Sequence, residues 1–257
     1  MQRTNRRAHS HILRLLCTFQ RQDTYYLVLP WADGNLREFW KTIDPDLGYH
    51  HSAPFWQWVV AQLLGLASAL DAIQTPDAQD IIRLFGRHGD IKPENILWFK
   101  SKSPDDWADT KGSLVLTDLG FARFRRERTQ SRKRSTTLGF TTTYRSPEFD
   151  IANKTISRST DTWSLGCVFL ETVCWLLGGY RGVQRFGSAR RSLDQYVGAE
   201  SDAFFVATRN EDGPSSRFDF KVKPQVTKVI YFDQPHAAPG SNHYDPLLTV
   251  TLLLIST

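Results

Sequence analysis

The sequence predicts an α+β chain, with a short β-rich start and a mainly helical body. Three observations carry this. Two strand-like stretches, His11–Leu16 and Thr24–Leu29, flank a polar turn at Gln20–Asp23. Phe55, Val59, Leu63, Leu66, Leu70 and Ile73 recur at steps of three and four, the spacing of one buried helical stripe. A second apolar helical pattern begins at Asp161 and runs through Cys167, Phe169, Val173 and Leu176. With 257 residues, 40% of them hydrophobic, the chain can build a real core and is too apolar for wholesale disorder.

The remaining elements follow in order. Asp33-Gly34-Asn35 reads as a turn, with Asn35 able to cap a short helix through Lys41. Ser52 and Pro54 open the long striped helix. The apolar run Ile81–Phe85 leads into a loop, His88–Leu97, that is dense in polar groups. Lys100–Gly112 is polar, contains Pro104, and reads as a surface loop before the strand-like Ser113–Thr117. The helix from Asp161 is expected to stop at Gly178-Gly179. The tail Tyr231–Thr257 is broken by Pro235, Pro239 and Pro246 and ends in the uncharged, β-prone run Leu247–Ile255.

Composition narrows the function classes. The formal net charge is +5, with much of the excess between Arg123 and Arg134, and no nucleic-acid-binding motif accompanies it. Nucleic acid is therefore not an expected partner. The 3 cysteines (Cys17, Cys167, Cys174) are odd in number, lie in apolar stretches and lack metal-ligand spacing, which predicts a reduced, intracellular chain, cytoplasmic or nuclear. No apolar segment follows Met1–Arg7 as in a signal peptide, and Leu247–Ile255 is too short to span a bilayer, so no membrane is expected.

Three motifs point to chemistry. His88-Gly89-Asp90-Ile91-Lys92-Pro93-Glu94-Asn95 places a carboxylate, an ammonium and an amide in one loop. Asp118-Leu119-Gly120 follows a strand, and Ser146-Pro147-Glu148 comes further on. In this order they resemble the catalytic loop, the metal-binding loop and the end of the activation segment of protein kinases. The resemblance covers about His9 to Glu171 and fades over Arg181–Ile230; the wording of Leu29–Leu36 is similar to kinases of filamentous fungi.

The resemblance implies a protein kinase-like fold, with a remnant of the small N-lobe and hinge over residues 1–33. A helical C-lobe would cover 34–230 and a tail without kinase character 231–257. It implies transfer of the γ-phosphoryl of ATP to Ser/Thr hydroxyls of a protein, with Mg²⁺. Asp90 would accept the hydroxyl proton, Lys92 would contact the transferring phosphate, and Asn95 and Asp118 would hold the metal. Thr141 would hydrogen-bond the catalytic pair, and with Lys92 favours Ser/Thr over Tyr as acceptor. Pro30-Trp31-Ala32 would be the hinge that meets adenine, with Leu29 as gatekeeper and Leu97 as the floor beneath the ring. Asp161 would brace the catalytic-loop backbone.

Departures from the pattern set further expectations. The first glycine is Gly34, the first glutamate Glu38 and the first lysine Lys41, all beyond the hinge. No glycine-rich loop, strand lysine or helix glutamate precedes it, so weak or no activity is expected of these residues alone. Gly89 stands where the family has an arginine that pairs with a phosphorylated activation segment, so Thr137 lacks its partner. Leu119 replaces a phenylalanine and, with His88 and Leu15, would form the regulatory apolar stack. Arg181 is the candidate to pair with Glu148. The rival readings are a pseudokinase or interaction module, and a fragment of a longer kinase.

Overall fold

The structure is a computed structural model that describes residues 9–43, 53–75, 86–101, 112–118, 142–150, 156–196, 198–209 and 218–230. The chain forms two units, one of residues 1–43 and 52–129, the other of 44–51 and 130–257.

In the first unit, β1 (Cys17–Arg21) and β2 (Thr24–Val28) make an antiparallel hairpin closed by the pair Arg21↔Thr24. Gln22, first of the two loop residues, has φ of 53°, the positive value that two-residue hairpin loops need there. This turn corrects the expected strand at His11–Leu16. The partner of β2 must be the five residues directly before the loop, which are Cys17–Arg21. The loop is Gln22-Asp23, and Gln20 lies inside β1.

The displaced segment does other work. Ile12 bridges in parallel to Leu116, through bonds from Leu13 N–H to Leu116 O and from Leu116 N–H to His11 O, both 2.9 Å. The His11 ring donates from Nδ1 to Leu114 O at 2.7 Å. Its other side lies on Gly65, where an added Cβ would come within 2.2 Å of Nε2, so only glycine fits.

β3 (Gly34–Asn35), β4 (Ile96–Phe99) and β5 (Ser113–Leu116) form an antiparallel sheet in that order. α1 (Leu36–Thr42) starts at Asn35, whose side chain accepts from Glu38 N–H while the Glu38 carboxylate accepts from Asn35 N–H. α2 spans Ala53–Gln74 and buries the whole anticipated stripe, together with Trp58 and Ala69. Phe39 of α1 is the meeting point, with ring centroids 5.5 Å from Trp58 of α2 and 5.0 Å from Trp98 of β4. Each such side chain contributes roughly 1.5–3 kcal/mol by leaving water. Two polar ties fix α2 on the sheet edge: Trp58 Nε1–H to Gly112 O and Leu114 N–H to Gln62 Oε1.

In the second unit, α3 covers Ser159–Ala189 but breaks at Gly178 and Gly179, the latter at φ 59°. The helix was expected to end there. Instead it kinks and resumes, because Val183 and Phe186 beyond the kink are buried in the same core. Two small antiparallel sheets follow, β6 (Ser192–Asp194) with β7 (Ala199–Ser201), and β8 (Phe205–Arg209) with β9 (Phe218–Val222); α4 is Pro224–Ile230. Packed structure therefore continues where the sequence pattern faded.

The centre of this unit is charged. Arg190, 1% exposed, donates to Glu171 Oε1 at 2.8 Å, and Tyr144 Oη–H donates to Glu171 Oε2 at 2.8 Å. The guanidinium lies 4.2 Å from the Phe186 ring centroid and 4.0 Å from that of Phe204. Lys223 Nζ donates to Arg190 O and Ser201 O. The anticipated arginine, Arg181, is exposed on α3, and among the described residues Glu148 has no ion-pair partner.

Replacing Arg190 with Met should leave Glu171 charged and buried, at a cost of about 3–5 kcal/mol. Urea unfolding of the variant reads this directly. A second expectation concerns Asp150, whose carboxyl is raised to about 6 by burial; Arg145, 2.7 Å away, opposes the rise and Asp194 adds to it. The folded state then holds a proton that the unfolded state releases between pH 4 and 6, so this group's contribution to stability falls across that window. Asp150→Asn should gain stability relative to the parent as pH rises from about 4 to 6, measured as a Tm difference at each pH.

Candidate active site

The candidate site lies in the first unit, in the loop that leads into β4 and at the end of β5. A loop with no ladder of its own must be held by side chains and by its ends. Ile91 is an apolar anchor at 2% exposure. His88, fully buried, donates from Nε2 to Thr117 O at 2.8 Å and accepts the Asp90 N–H on Nδ1 at 3.3 Å. One imidazole thus ties the Asp90 backbone to the residue before Asp118. Between them Gly89 has φ of 90°, which only glycine adopts without strain.

Asp90, Lys92 and Asn95 converge. Asn95 Nδ2 donates to Asp90 O at 2.8 Å and to Asp90 Oδ2 at 2.9 Å. Lys92 Nζ is 2.7 Å from the same Oδ2. Pro93–Asn95 forms one 3₁₀ turn, with Asn95 N–H bonded to Lys92 O, and this folds the spacing of two and five residues into a cluster. Asp90 Oδ2 is thereby engaged twice by groups of its own loop.

Asp118 comes beside this cluster through the backbone, since Thr117 N–H donates to Asn95 O at 3.0 Å. Asp118 is exposed and has φ of 61°, a costly conformation for a residue with a side chain. With Asn95 spending its Nδ2 on Asp90, its amide oxygen and the Asp118 carboxylate are two hard oxygen donors. They suit Mg²⁺, which takes one or two protein ligands and completes its shell with waters and phosphates. Among the described residues no group of three or more His, Cys, Asp or Glu forms a metal cage.

The residues expected to form the hinge are more open than this cluster. Leu29 is 45% exposed, Pro30 and Ala32 are half-buried, and Trp31 is 95% exposed. Asp33 N–H bonds Trp98 O and its carboxylate accepts from Lys100 N–H, so the end of the hinge is pinned to β4. Leu97 sits opposite Asn35 and Val115 in the sheet and is half-buried, on the face away from the buried Ile96 and Trp98. This half-buried face of β4, with Leu97 and Phe99, is compatible with a flat ring lying on it. Leu15 is 46% exposed, so its share of the anticipated apolar stack is not buried. Leu119, Thr137 and Thr141 lie outside the described residues.

One contact had no signal in the sequence. Arg37 of α1 forms an ion pair with Glu94, in the turn between Lys92 and Asn95. Neither residue stands out by spacing; the pair exists because Asn35 starts α1 beside β4, which the same turn feeds.

The family model described as "Protein kinase domain" matches residues 1–177. The chain belongs to that family. Its fold is α+β and protein kinase-like. A probable serine/threonine-protein kinase KIN28 homolog of Encephalitozoon cuniculi is 27% identical over 192 residues, 74% of this chain and 52% of the relative. Serine/threonine-protein kinase chk-1 of Caenorhabditis elegans is 27% identical over 223 residues, 86% of this chain and 37% of the relative. Serine/threonine-protein kinase SSN3 of the fungus Coccidioides immitis is 24% identical over 165 residues, 63% of this chain and 30% of the relative. The chain thus spans about half or less of the length of these relatives. A solved structure of the yeast RNA Pol II CTD kinase CTDK-1 complex is 19% identical, with a TM-score of 0.43 over 64% of this chain and 45% of that one.

Gly89→Ala should cost about 1–3 kcal/mol, because a side chain at this φ is strained. Chemical denaturation of the variant beside Gly166→Ala, where an added Cβ meets nothing within 4 Å, separates the backbone effect from ordinary substitution.

Proposed function

We propose that this chain binds ATP with Mg²⁺ and is built for transfer of the γ-phosphoryl to a Ser or Thr hydroxyl of a protein. The observation that supports this reading is the double engagement of Asp90 Oδ2 by Lys92 and Asn95. It fixes the carboxylate and leaves Oδ1 to accept a proton from an incoming hydroxyl. Lys92, between the two motif residues, supplies positive charge where the phosphoryl would pass. Asn95 and Asp118 are the residues to hold the metal, which supplies charge neutralisation on the phosphates. Leu97 and the backbone of Ala32 form the adenine side, with Leu29 and Pro30 flanking. ATP and a protein substrate are the proposed partners, and the chain is proposed to act inside the cell, in cytoplasm or nucleus.

Within these 257 residues no glycine, glutamate or lysine precedes Gly34, Glu38 and Lys41. These residues taken alone therefore supply none of the groups that this family places upstream to align the phosphates. Misalignment alone can cost ~100-fold in rate, so transfer by this chain is proposed to be weak.

Mg²⁺ and ATP together should raise the Tm of the purified chain, and Asp118→Asn should abolish that rise. No rise in the parent sinks the nucleotide-binding reading. With γ-labelled ATP and a generic protein substrate, little transfer is expected. Robust transfer lost in Asp90→Asn would instead show that another group aligns the phosphates.

A further inference from the structure

Arg190 holds a charge at 1% exposure, in the centre of the second unit. A buried ion pair adds little net stability over apolar packing, so its chief effect is to limit the arrangements open to its neighbours. Those neighbours lead to one place. Arg190 Nη2–H donates to Glu171 Oε1 at 2.8 Å, and Glu171 Oε2 accepts the Tyr144 hydroxyl at 2.8 Å. Arg190 Nε–H donates to Asp202 O at 3.1 Å, and Asp202 Oδ1 accepts the Thr143 hydroxyl at 2.7 Å. One guanidinium thus reaches two consecutive residues by two separate routes.

Both routes end on residues 142–150, where Ser146-Pro147-Glu148 resembles the end of an activation segment. This stretch has little to hold it locally. It contains two single 3₁₀ turns, Thr142–Tyr144 and Pro147–Phe149, and no ladder. Its other ties come from the same core. Ser164 Oγ–H donates to Tyr144 O at 2.8 Å, the Tyr144 ring centroid is 6.3 Å from that of Phe204, and the Arg145 guanidinium is 5.9 Å from the Phe205 ring centroid. Arg190, Asp202, Phe204 and Phe205 all lie where the sequence pattern fades. Lys223 ties that stretch together by donating to Arg190 O and Ser201 O. Arg181, expected to hold the segment through Glu148, is exposed on α3.

We propose that Arg190 is the positioning residue of the acceptor segment: through Glu171 and Asp202 it sets Tyr144 and Thr143 in the arrangement that seats the protein bearing the Ser or Thr hydroxyl. The acceptor role rests on the kinase reading above; the brace itself does not. Arg190 acts only through Glu171 and Asp202. Its planar fork suits this task, because two donors held in one rigid group make Thr143 and Tyr144 move together. Lysine, a single charge on a flexible stem, serves the Glu171 route and loses the other.

Amide exchange of the full 257-residue chain, without nucleotide, tests the brace. Tyr144→Phe and Thr143→Val each remove one hydroxyl and keep the volume filled. Each should speed exchange across residues 143–150 about tenfold, the effect of one lost hydrogen bond on local opening. Arg190→Met should match the two combined, and adding both changes to it should then do nothing more. Arg190→Lys decides the matter where Arg190→Met does not fold: in that background Thr143→Val should add nothing, while Tyr144→Phe still does. Val183→Ala, a core truncation on the same helix, is the control for general loss of stability. Additive effects in these backgrounds overturn the brace. So does exchange no faster than in Val183→Ala at equal urea stability.

Dephosphorylated casein, with Mg²⁺ and a non-hydrolysable ATP analogue, probes the acceptor role. Its Kd should rise several-fold in Tyr144→Phe and Thr143→Val, while the Kd of the analogue stays unchanged. Casein binding absent from the parent, or equal in the variants, overturns the acceptor role. A parent that does not bind the analogue sinks the kinase reading and the acceptor role with it; the exchange result judges the brace in either case.

Discussion

The site depends on the buried amide of Asn95. A loop that brings a carboxylate, an ammonium and an amide together has no ladder to hold its backbone. Asn95 supplies the missing bonds by donating to the Asp90 carbonyl and carboxylate together, while its own carbonyl accepts from Thr117. Removing the side chain would free Asp90, detach it from Lys92's geometry, and leave polar groups unpaired in a buried place. His88 repeats the same logic from the other end of the loop. The two side chains make one object of a catalytic-type loop and the strand end that bears Asp118.

That object rests on an apolar base. Phe39, Trp58 and Trp98 join α1, α2 and β4, and Gln62 and Trp58 satisfy backbone groups at the start of β5. The sheet here is short, and its strands meet a helix on one face, so β4 alternates between buried Ile96 and Trp98 and the more open Leu97 and Phe99. The alternation leaves Leu97 half-buried on the face away from the core, where the proposed adenine floor would be. The second unit is organised differently, around the Arg190–Glu171 pair between two aromatic rings. A buried ion pair contributes little net stability compared with apolar packing, but it permits few alternative arrangements.

Much of this was legible in the sequence, for local reasons. The α2 stripe, the Asn35 cap and the grouping of Asp90, Lys92 and Asn95 all depend on spacings within one turn or a few. Periodicity and capping chemistry act over such distances. The family and its α+β fold follow from the same short motifs, and the family match agrees. The expected strand at His11–Leu16 was wrong by a few residues because apolar content does not specify register. The loop at Gln22-Asp23 does, through one backbone angle. The helix end at Gly178-Gly179 became a kink because two glycines permit a break but do not forbid helix beyond it.

The sequence by itself determined the motif residues and the helix faces. Only the tertiary structure decided that Arg37 meets Glu94, that His11 lies on Gly65 and that Arg190 rather than Arg181 is the buried arginine. These pairs join residues far apart in the chain. Their meeting depends on which elements pack and in what register, and that is settled by the sum of many weak contacts, each too small and too distant in sequence to be read from its own residues.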